Sequence, residues 1–310
     1  MARYVVTGGC GFIGSHLADR LVNAGHSVTI VDDLSTGKLS NRPSAASLVK
    51  GDIGDTELLR GLMREADGCF HLAAIASVER SRLDLLMTHR TNLTGTISVF
   101  DAARNASAEP IPVVYASSAA VYGDNPDIPL AETARPRPLS GYGADKLGCE
   151  QHAFVVGLIH RIPTVGLRFF NVYGPRQDPS SPYSGVISIF AEKLRNFRPL
   201  TIHGDGEQFR DFVYVSDVVV ALEAAMRHAS TAAPVYNVCT GRATTIRNLA
   251  DSMAAAMGVE SSICFEPPRT GDIRGSLGDP RKAREMIAFT AATSLYDGLR
   301  QLLADYTAFT

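Results

Sequence analysis

Short apolar runs alternate with longer amphipathic stretches through the first half of the chain. Apolar runs between turn residues predict strands, and stretches with helical periodicity predict helices. Because alternating strands and helices form right-handed βαβ units, and because these strands are apolar throughout, we expect a parallel sheet with helices on both faces. The predicted strands cover residues 3–7, 27–31, 68–72, 112–116 and 164–169, and the predicted helices cover residues 12–24, 56–65, 83–105 and 140–160.

The composition changes after Phe170. Residues 171–185 are rich in Pro, Gly, Ser and Tyr, and a helix over 186–196 and shorter strands and helices are predicted to follow. We therefore predict an α/β protein with a doubly wound parallel sheet in residues 1–170 and a smaller C-terminal α/β substrate-binding lobe in residues 171–310. Later segments are expected to return to the first domain.

Composition and charge exclude several functional classes. The 310 residues carry a net charge of −2, so no overall field attracts nucleic acid or an anionic membrane. No apolar stretch approaches the roughly 18 residues that span a bilayer, and the first residues show no signal-peptide pattern. The five cysteines form no Cys-x-x-Cys pair and the eight histidines show no ligand spacing, so we expect no metal site and a cytoplasmic protein.

A glycine-rich turn joins the first strand to the first helix. Gly8, Gly11 and Gly14 follow the strand directly, and such a turn lets the backbone approach a pyrophosphate at a helix N-terminus. Glycines there also occur for purely structural reasons in tight turns. The acidic pair Asp32 and Asp33 ends the second strand with no basic residue directly after it. A carboxylate there accepts from the adenosine ribose and repels a 2′-phosphate, which favours NAD and a Rossmann-type sheet.

Asp52 follows a further short segment, and Ile53 comes next. The Asp52 carboxylate is suited either to the adenine of the cofactor or to capping the helix that starts near Asp55, since aspartate is a favoured N-cap. The sequence leaves these two alternatives open.

Tyr142 and Lys146 are separated by four positions on a predicted helix, which places both side chains on one face. A lysine ammonium beside a phenol favours the phenolate, so Tyr142 is a candidate general acid or base. Ser118 closes a strand, where open α/β sheets place their chemistry, and its hydroxyl could share a hydrogen bond with a reacting group. An exposed helix pair and a polar turn are the alternatives.

Taken in order along the chain, these motifs resemble those of the extended short-chain dehydrogenase/reductase family, in its group of NAD-dependent sugar-nucleotide epimerases and dehydratases. The resemblance covers nearly the whole chain. It implies Ser118, Tyr142 and Lys146 as the catalytic triad, with Lys146 also on the nicotinamide ribose. Besides the glycine turn, the motifs are His71-Leu72-Ala73-Ala74, Asn92-Leu93-Thr94-Gly95-Thr96, Ser117-Ser118-Ala119-Ala120-Val121-Tyr122-Gly123, Tyr142-Gly143-Ala144-Asp145-Lys146 and Arg168-Phe169-Phe170-Asn171-Val172-Tyr173-Gly174-Pro175. The implied NAD contacts are Gly8, Gly11, Phe12, Ile13, Gly14, Asp32, Asp33, Asp52, Ile53, Leu72, Ala73, Ala74, Asn92, Tyr142 and Lys146.

Two alanines narrow the reaction that the resemblance implies. Dehydratases of the group carry Asp and Glu after the equivalent of Ser118, and the related decarboxylases carry a glutamate there. This chain has Ala119 and Ala120, which cannot transfer a proton. The resemblance therefore implies 4-epimerisation of a UDP-hexose through a transient 4-keto sugar. Another NAD-dependent nucleotide-sugar oxidoreductase or dehydratase, or a non-catalytic NAD-binding regulator, is the alternative.

The second half resembles the part of these enzymes that binds the sugar nucleotide. The resemblance implies Arg210 and Arg269 on the diphosphate, Asn171 near the diphosphate and sugar, and Asp272 on the uridine ribose. Ser276 would border the C2 substituent of the sugar, where a small side chain admits an N-acetyl group. UDP-glucose and UDP-galactose are thus the expected substrates, and UDP-N-acetylglucosamine and UDP-N-acetylgalactosamine are expected to be accepted as well.

Relatives in this family are usually homodimers that pair two long helices of each chain. The corresponding helices here are those over 83–105 and 141–160. Their apolar faces are suited to such pairing but could equally pack within the chain.

Overall fold

The computed structural model describes residues 1–106, 108–177, 185–260, 262–268 and 271–307, the side chains of 305–307 excepted. The strands are β1 (Arg3–Thr7), β2 (Ser27–Asp32), β3 (Ser47–Lys50), β4 (Gly68–His71), β5 (Val113–Ser118), β6 (Thr164–Phe169), β7 (Asn171–Tyr173), β8 (Leu200–His203), β9 (Phe209–Arg210), β10 (Phe212–Tyr214), β11 (Val235–Val238), β12 (Thr244–Thr245), β13 (Ile263–Glu266) and β14 (Gly275–Ser276). The helices are α1 (Phe12–Asn23), α2 (Thr56–Met63), α3 (Val78–Leu83), α4 (Leu85–His89), α5 (Gly95–Arg104), α6 (Gly141–His160), α7 (Val186–Arg195), α8 (Val215–Met226), α9 (Ile246–Met257), α10 (Arg281–Ile287) and α11 (Leu295–Thr307).

A seven-stranded sheet forms the centre of the molecule, with strand order β11-β6-β5-β4-β1-β2-β3. Each pair of neighbours in it is parallel. One face is covered by a core that includes Leu17 of α1 and Val218 of α8. The other is covered by Leu59 of α2, Phe100 of α5 and Ala153 of α6. The predicted α/β fold with a doubly wound, Rossmann-type sheet is confirmed.

The strand order reverses at β1, because the chain continues to β2 on one side and later to β4 on the other. At such a switch point the loops after the two central strands separate and leave a crevice at the carboxyl ends of the strands. The glycine turn after β1 and the loop after β4 meet here, where Gly8 lies against the backbone of Ala73.

A smaller lobe is built from the second half. It contains two-stranded sheets of β7 with β10 and of β8 with β13, and a three-stranded sheet in the order β12-β9-β14. A separate core packs Phe190 of α7, Leu249 of α9 and Leu302 of α11. The chain also re-enters the large sheet, since β11 pairs with β6. The division into two domains at residue 170 stays a prediction.

The long helix predicted over residues 83–105 is wrong. Asp84 leaves helical geometry with φ −141°, and its side chain caps the new helix α4 by accepting from the Met87 N–H. A π turn over Arg90–Thr94 then separates α4 from α5. Inserted π turns recur at functional sites, where they re-aim a side chain, and this one carries Asn92.

Other differences concern the ends and edges of elements. β2 and β5 run further than predicted and end at Asp32 and Ser118, so both residues belong to the last position of a strand. The edge strand β3 was not predicted, because its four residues are too short and too exposed to give an apolar run. None of the helices in the described ranges is both long and apolar enough to cross a membrane.

Candidate active site

The glycine turn is shaped by close approaches that only glycine allows. Gly8 has φ +69°, and a Cβ on it would lie 2.7 Å from the Ala73 nitrogen. A Cβ on Gly14 would lie 2.2 Å from the Gly8 carbonyl oxygen. Helix α1 starts after Gly11 without a capping side chain, so the N–H groups of Phe12, Ile13 and Gly14 point out of its end without intrahelical partners. The turn fits a dinucleotide pyrophosphate, because N–H donors and the helix dipole face the space that the missing side chains leave.

Asp32 fixes this turn to the end of β2. Its carboxylate is buried and accepts from the N–H groups of Cys10 and Leu34, both at 2.9 Å. Asp33 is exposed, and its Oδ1 accepts from the N–H and the hydroxyl of Ser35 at 2.9 and 2.6 Å. The two neighbouring carboxylates therefore differ: one holds the loop together and the other faces solvent.

Asp52 does not cap the following helix. Its Oδ1 accepts from the Gly54 N–H at 2.6 Å, whereas the N-cap of α2 is Asp55, which accepts from Glu57 and Leu58. The capping alternative for Asp52 is wrong, because the N-cap position of α2 lies three residues after Asp52 and its side chain reaches only Gly54. Ile53 is buried, and it fills the space beside Gly95.

A buried chain of hydrogen bonds runs behind the crevice, and the sequence analysis assigned no role to its members Thr7, His71 and Thr96. Thr7 Oγ1 and His71 Nδ1 are 2.8 Å apart, and His71 Nε2 and Thr96 Oγ1 are 2.9 Å apart. Thr96 donates to the Asn92 carbonyl, so it accepts from His71, and the proton of the imidazole lies on Nε2. Nδ1 then accepts from Thr7, whose oxygen also receives the N–H of Ala73. The chain couples the strand before the glycine turn to helix α5.

Asn92 and the loop after β4 form the next part of the crevice. The Asn92 side chain accepts from the N–H of Ile75 at 2.8 Å and donates to its carbonyl at 3.1 Å. These two bonds hold the loop of Leu72, Ala73 and Ala74 at the carboxyl end of β4, against Gly8.

Burial of His71 has a consequence for stability. Burial, aided by the nearby charge of Lys146, lowers the pKa of His71 to about 3. In the unfolded chain the same imidazole takes up a proton near its ordinary pKa of 6.5. The unfolded state therefore binds more protons as the pH falls through 6.5, and stability is lost progressively from there toward about pH 3.

We expect His71→Gln to remove the pH-dependent loss of stability that His71 causes. The variant is less stable than the parent at neutral pH because it breaks the buried chain, but the gap in unfolding free energy narrows between about pH 7.5 and pH 5. Urea unfolding of both proteins across that range measures it. Equal pH slopes for the two proteins would contradict the neutral, buried state of His71.

Ser118, Tyr142 and Lys146 come from two neighbouring elements at the same edge of the sheet. Ser118 ends β5, and its Oγ accepts from the Ala120 N–H at 3.1 Å. Tyr142 lies in the first turn of α6, and a Cβ on the adjacent Gly143 would be 2.6 Å from the Ala120 carbonyl. The first turn of α6 therefore packs directly on the turn that Ser118 begins.

Lys146 completes this arrangement. Its side chain is buried, with 3% of the residue exposed, and its Nζ lies 5.9 Å from the centre of the Tyr142 ring. The predicted shared helix face of the two residues is thus present. The structure therefore brings the buried Lys146 side chain next to the Tyr142 ring.

Two predicted site residues of the second half lie in the small three-stranded sheet. Arg210 lies in β9, and Ser276, which is buried, pairs with it in β14. The Arg210 guanidinium forms an ion pair with Asp272, and burial lowers the pKa of Arg210 despite the opposing charge of Asp272. Asn171 donates its side-chain N–H to the carbonyl of Asp211 at 3.2 Å. Arg269 lies outside the described residues.

A cavity of about 480 Å³ opens beside this sheet. It is lined by His203, Gly204, Asp205, Gln208, Glu266, Pro268, Asp272, Ile273 and Arg274. In the part of the chain that the structure describes, no three His, Cys, Asp or Glu side chains are grouped so as to hold a metal ion.

This chain is similar in sequence and structure to proteins of one known family. The NAD dependent epimerase/dehydratase family matches residues 4–239. UDP-glucose 4-epimerase of Mycolicibacterium smegmatis is 39% identical over 304 residues, which cover 96% of each chain. The structure of UDP-glucose 4-epimerase from Thermus thermophilus in complex with NAD is 35% identical, with a TM-score of 0.91 over 99% of this chain and 100% of that chain.

A further solved relative acts on an N-acetylated sugar. The structure of UDP-N-acetylglucosamine 4-epimerase from Methanobrevibacter ruminantium, in complex with UDP-N-acetylmuramic acid, is 35% identical, with a TM-score of 0.93 over 100% of this chain and 99% of that chain. The match over most of the chain, together with these identities, shows that the chain belongs to the NAD-dependent epimerase/dehydratase family.

Proposed function

We propose that this enzyme inverts the configuration at C4 of a UDP-hexose, with NAD as a tightly held cofactor. The observation that carries the proposal is the buried Lys146 beside Tyr142, on a helix turn that packs against the turn of Ser118. This group lies at the same sheet edge as the glycine turn. The names of the relatives support the reaction class.

NAD, when bound, supplies a nicotinamide that takes a hydride from C4 of the sugar and gives it back. The turn of Gly8, Gly11 and Gly14 would hold its pyrophosphate, and Asp33, whose carboxylate is exposed, would accept from the adenosine ribose. Asp32 would shape this end of the site, since its oxygens already receive backbone N–H groups. Lys146 would bind the nicotinamide ribose.

Tyr142 would remove the proton from the 4-hydroxyl and later return it. Ser118 would share the hydrogen bond, because its oxygen accepts from Ala120 and its own proton stays available to donate. The charge of Lys146 would keep Tyr142 able to act as a base. Ala119 and Ala120 offer no second acid or base, so the 4-keto sugar is reduced again rather than dehydrated.

The UDP group would lie along β9 and the cavity next to Asp272. Arg210 would bind the diphosphate together with Arg269, and Asp272 would accept from the uridine ribose. The ion pair between Arg210 and Asp272 holds these two side chains next to each other. Asn171 would contact the diphosphate and sugar from the neighbouring strand β7. The diphosphate would thus stay anchored while the 4-keto sugar turns over.

We expect Arg210→Ala to raise the KM for the UDP-sugar by about ten-fold or more, because a charge-assisted hydrogen bond to an anion is worth about 1.5–3 kcal/mol. The value of kcat should change less, since the diphosphate is bound equally in the ground and transition states. Steady-state kinetics measure both. Arg20→Ala, which removes an exposed arginine paired with Glu223, is the control. An unchanged KM in Arg210→Ala would contradict the assignment.

The size of the sugar site bears on the substrate. Ser276 is small and buried beside Arg210, and we propose that it leaves room for an N-acetyl group at C2. Product analysis by NMR after separate incubation with UDP-glucose and UDP-N-acetylglucosamine, without added NAD, tests the function. C4-inverted products from both sugars are expected. No inversion of either sugar, with or without added NAD, would contradict the proposed reaction.

We also propose that the enzyme works as a homodimer in the cytoplasm. Apolar side chains are exposed along α4 and the outer face of α6, where Leu86 is 60% and Leu158 67% exposed. Such a patch is typical of an interface. Four of the five cysteines are buried free thiols, which suits a reducing compartment. Sedimentation of the parent and of Leu158→Glu tests the interface: a dimer and a monomer, respectively, are expected.

A further inference from the structure

A second buried polar chain starts on the catalytic helix itself. Tyr142, Lys146 and Glu150 are spaced by four residues on α6 and so follow one stripe of the helix. Lys146 and Glu150, which are 3% and 7% exposed, are both buried. The proposed chemistry does not use Glu150, nor the partners that it contacts.

Glu150 joins α6 to the two strands beneath it. Arg168 of β6 donates from Nε and Nη2 to the two carboxylate oxygens at 2.9 and 2.7 Å. Ser117 of β5 donates to the same carboxylate at 2.5 Å, and it directly precedes Ser118. Burial lowers the pKa of Arg168, but the hydrogen bonds and charge of Glu150 outweigh this and hold that pKa above its usual value. Arg168 and Glu150 are therefore a charged pair with directional bonds.

Tyr122 carries the chain onward. Its hydroxyl accepts from Arg168 Nη1 at 2.8 Å and donates to Asn237 Oδ1 at 2.7 Å. Burial raises the pKa of Tyr122 to about 12, so the group stays a neutral hydroxyl that can do both. The guanidinium carbon also lies 4.7 Å from the centre of the Tyr122 ring.

Asn237 ends the chain at the segment that carries Ser276. Its amide donates to the carbonyls of Leu130 and Asp279 at 2.8 and 3.4 Å. Leu130 in turn exchanges backbone hydrogen bonds with residues 277 and 279 on either side of Gly278, at 2.8 and 3.0 Å. The chain therefore spans from the helix of Tyr142 to the backbone directly after Ser276.

We propose that Tyr122, with Glu150, Arg168 and Asn237, is a positioning residue that fixes the sugar-binding segment of Ser276 relative to the catalytic face of α6. This inference rests on the proposed function. The chain sets how closely C4 of a bound sugar approaches Tyr142, whereas the UDP group is held separately by Arg210 and Asp272. A rigid link of this kind matters because small displacements of reacting atoms cost large factors in rate.

Tyr122→Phe tests the proposal, since it removes one hydroxyl and leaves the ring. Tyr115→Phe is the matched control: Tyr115 is also buried, and among the described residues its hydroxyl has no hydrogen-bond partner. For Tyr122→Phe we expect kcat to fall by about ten-fold. The KM for the UDP-sugar and the Kd for UDP alone, measured by calorimetry, should stay unchanged. Tyr115→Phe should match the parent in all three.

Ser117→Ala removes a hydroxyl at the other end of this hydrogen-bond chain. It tests the same proposal if Tyr122→Phe does not fold. A fall in kcat at constant KM and constant UDP affinity is expected here too. A folded variant with the kcat of Tyr115→Phe would overturn the proposal, as would a rise in KM and in the UDP Kd at constant kcat. An inactive parent would instead contradict the proposed function.

Discussion

Tyr142→Phe lowers kcat by about 10²- to 10⁴-fold, the range that general acid–base catalysis contributes. The phenylalanine ring keeps the packing of the first turn of α6 but has no oxygen to take the proton from the 4-hydroxyl. Lys146 and the turn of Ser118 stay in place, so the binding of UDP should not change. Product formation from a UDP-hexose at saturating concentration measures the loss.

Tyr296→Phe is the control for this substitution, because Tyr296 is 59% exposed on α11 and removing its hydroxyl should leave kcat as in the parent. A folded Tyr142→Phe protein with parental kcat would show that Tyr142 is not the proton acceptor, whatever the fate of the other assignments.

Gly14→Ala should abolish retention of NAD, and with it the activity measured without added cofactor. The new Cβ would lie 2.2 Å from the Gly8 carbonyl oxygen and 2.9 Å from the Gly8 carbonyl carbon. Both atoms belong to backbone that cannot move without opening the turn, and overpacking of this kind costs about 1–3 kcal/mol. Because the turn that must open is the one suited to the pyrophosphate, the substitution should weaken the binding of NAD.

Gly61→Ala provides the matched control for the same chemical change. Gly61 lies inside helix α2, and a Cβ there would meet nothing within 4 Å. This variant should keep its NAD and gain about 0.5–1 kcal/mol of stability, since alanine replaces a flexible glycine within a helix. The amount of NAD released from each purified variant after denaturation shows whether Gly14→Ala and Gly61→Ala differ in cofactor retention. Parental NAD content in Gly14→Ala would contradict the role of the turn.

Local patterns in the sequence explain most of what could be predicted. The glycine turn lies between one strand and one helix, and Tyr142 and Lys146 lie on one helix face, so spacing alone brings their members together. The fold class predicted from these motifs is confirmed by the structure, and the NAD-dependent epimerase/dehydratase family is confirmed by the relatives. The roles of individual site residues stay predictions.

Contacts between segments that are distant in the sequence could not be predicted from such local patterns. Tyr122 and Asn237 are hydrogen-bonded although they are 115 positions apart, and no periodicity marks either as a partner of the other. In the sequence, His71 has no feature that distinguishes it from other strand residues. In the structure, its two ring nitrogens form hydrogen bonds with Thr7 and Thr96. Arg210 and Asp272 were assigned to different parts of UDP, but in the structure they pair with each other.

The broken helix over residues 83–105 has a similar explanation. Its apolar positions continue the helical period, so the sequence predicts one helix. The π turn carries Asn92, whose side chain bonds the backbone of Ile75 in a separate segment that the helical period does not reveal. An N-capping aspartate, Asp84, was a local signal that could have placed the first break.

In the proposed reaction, C4 of the sugar is oxidised and reduced again inside one closed site. UDP-glucose carrying deuterium at C4, incubated with the enzyme in ordinary water without added NAD, tests it most directly. If the hydrogen that leaves C4 returns to the same carbon, NMR and mass spectrometry of the product will find the inverted sugar with its deuterium still at C4. An inverted product that has exchanged its C4 deuterium for solvent hydrogen would contradict the proposed reaction.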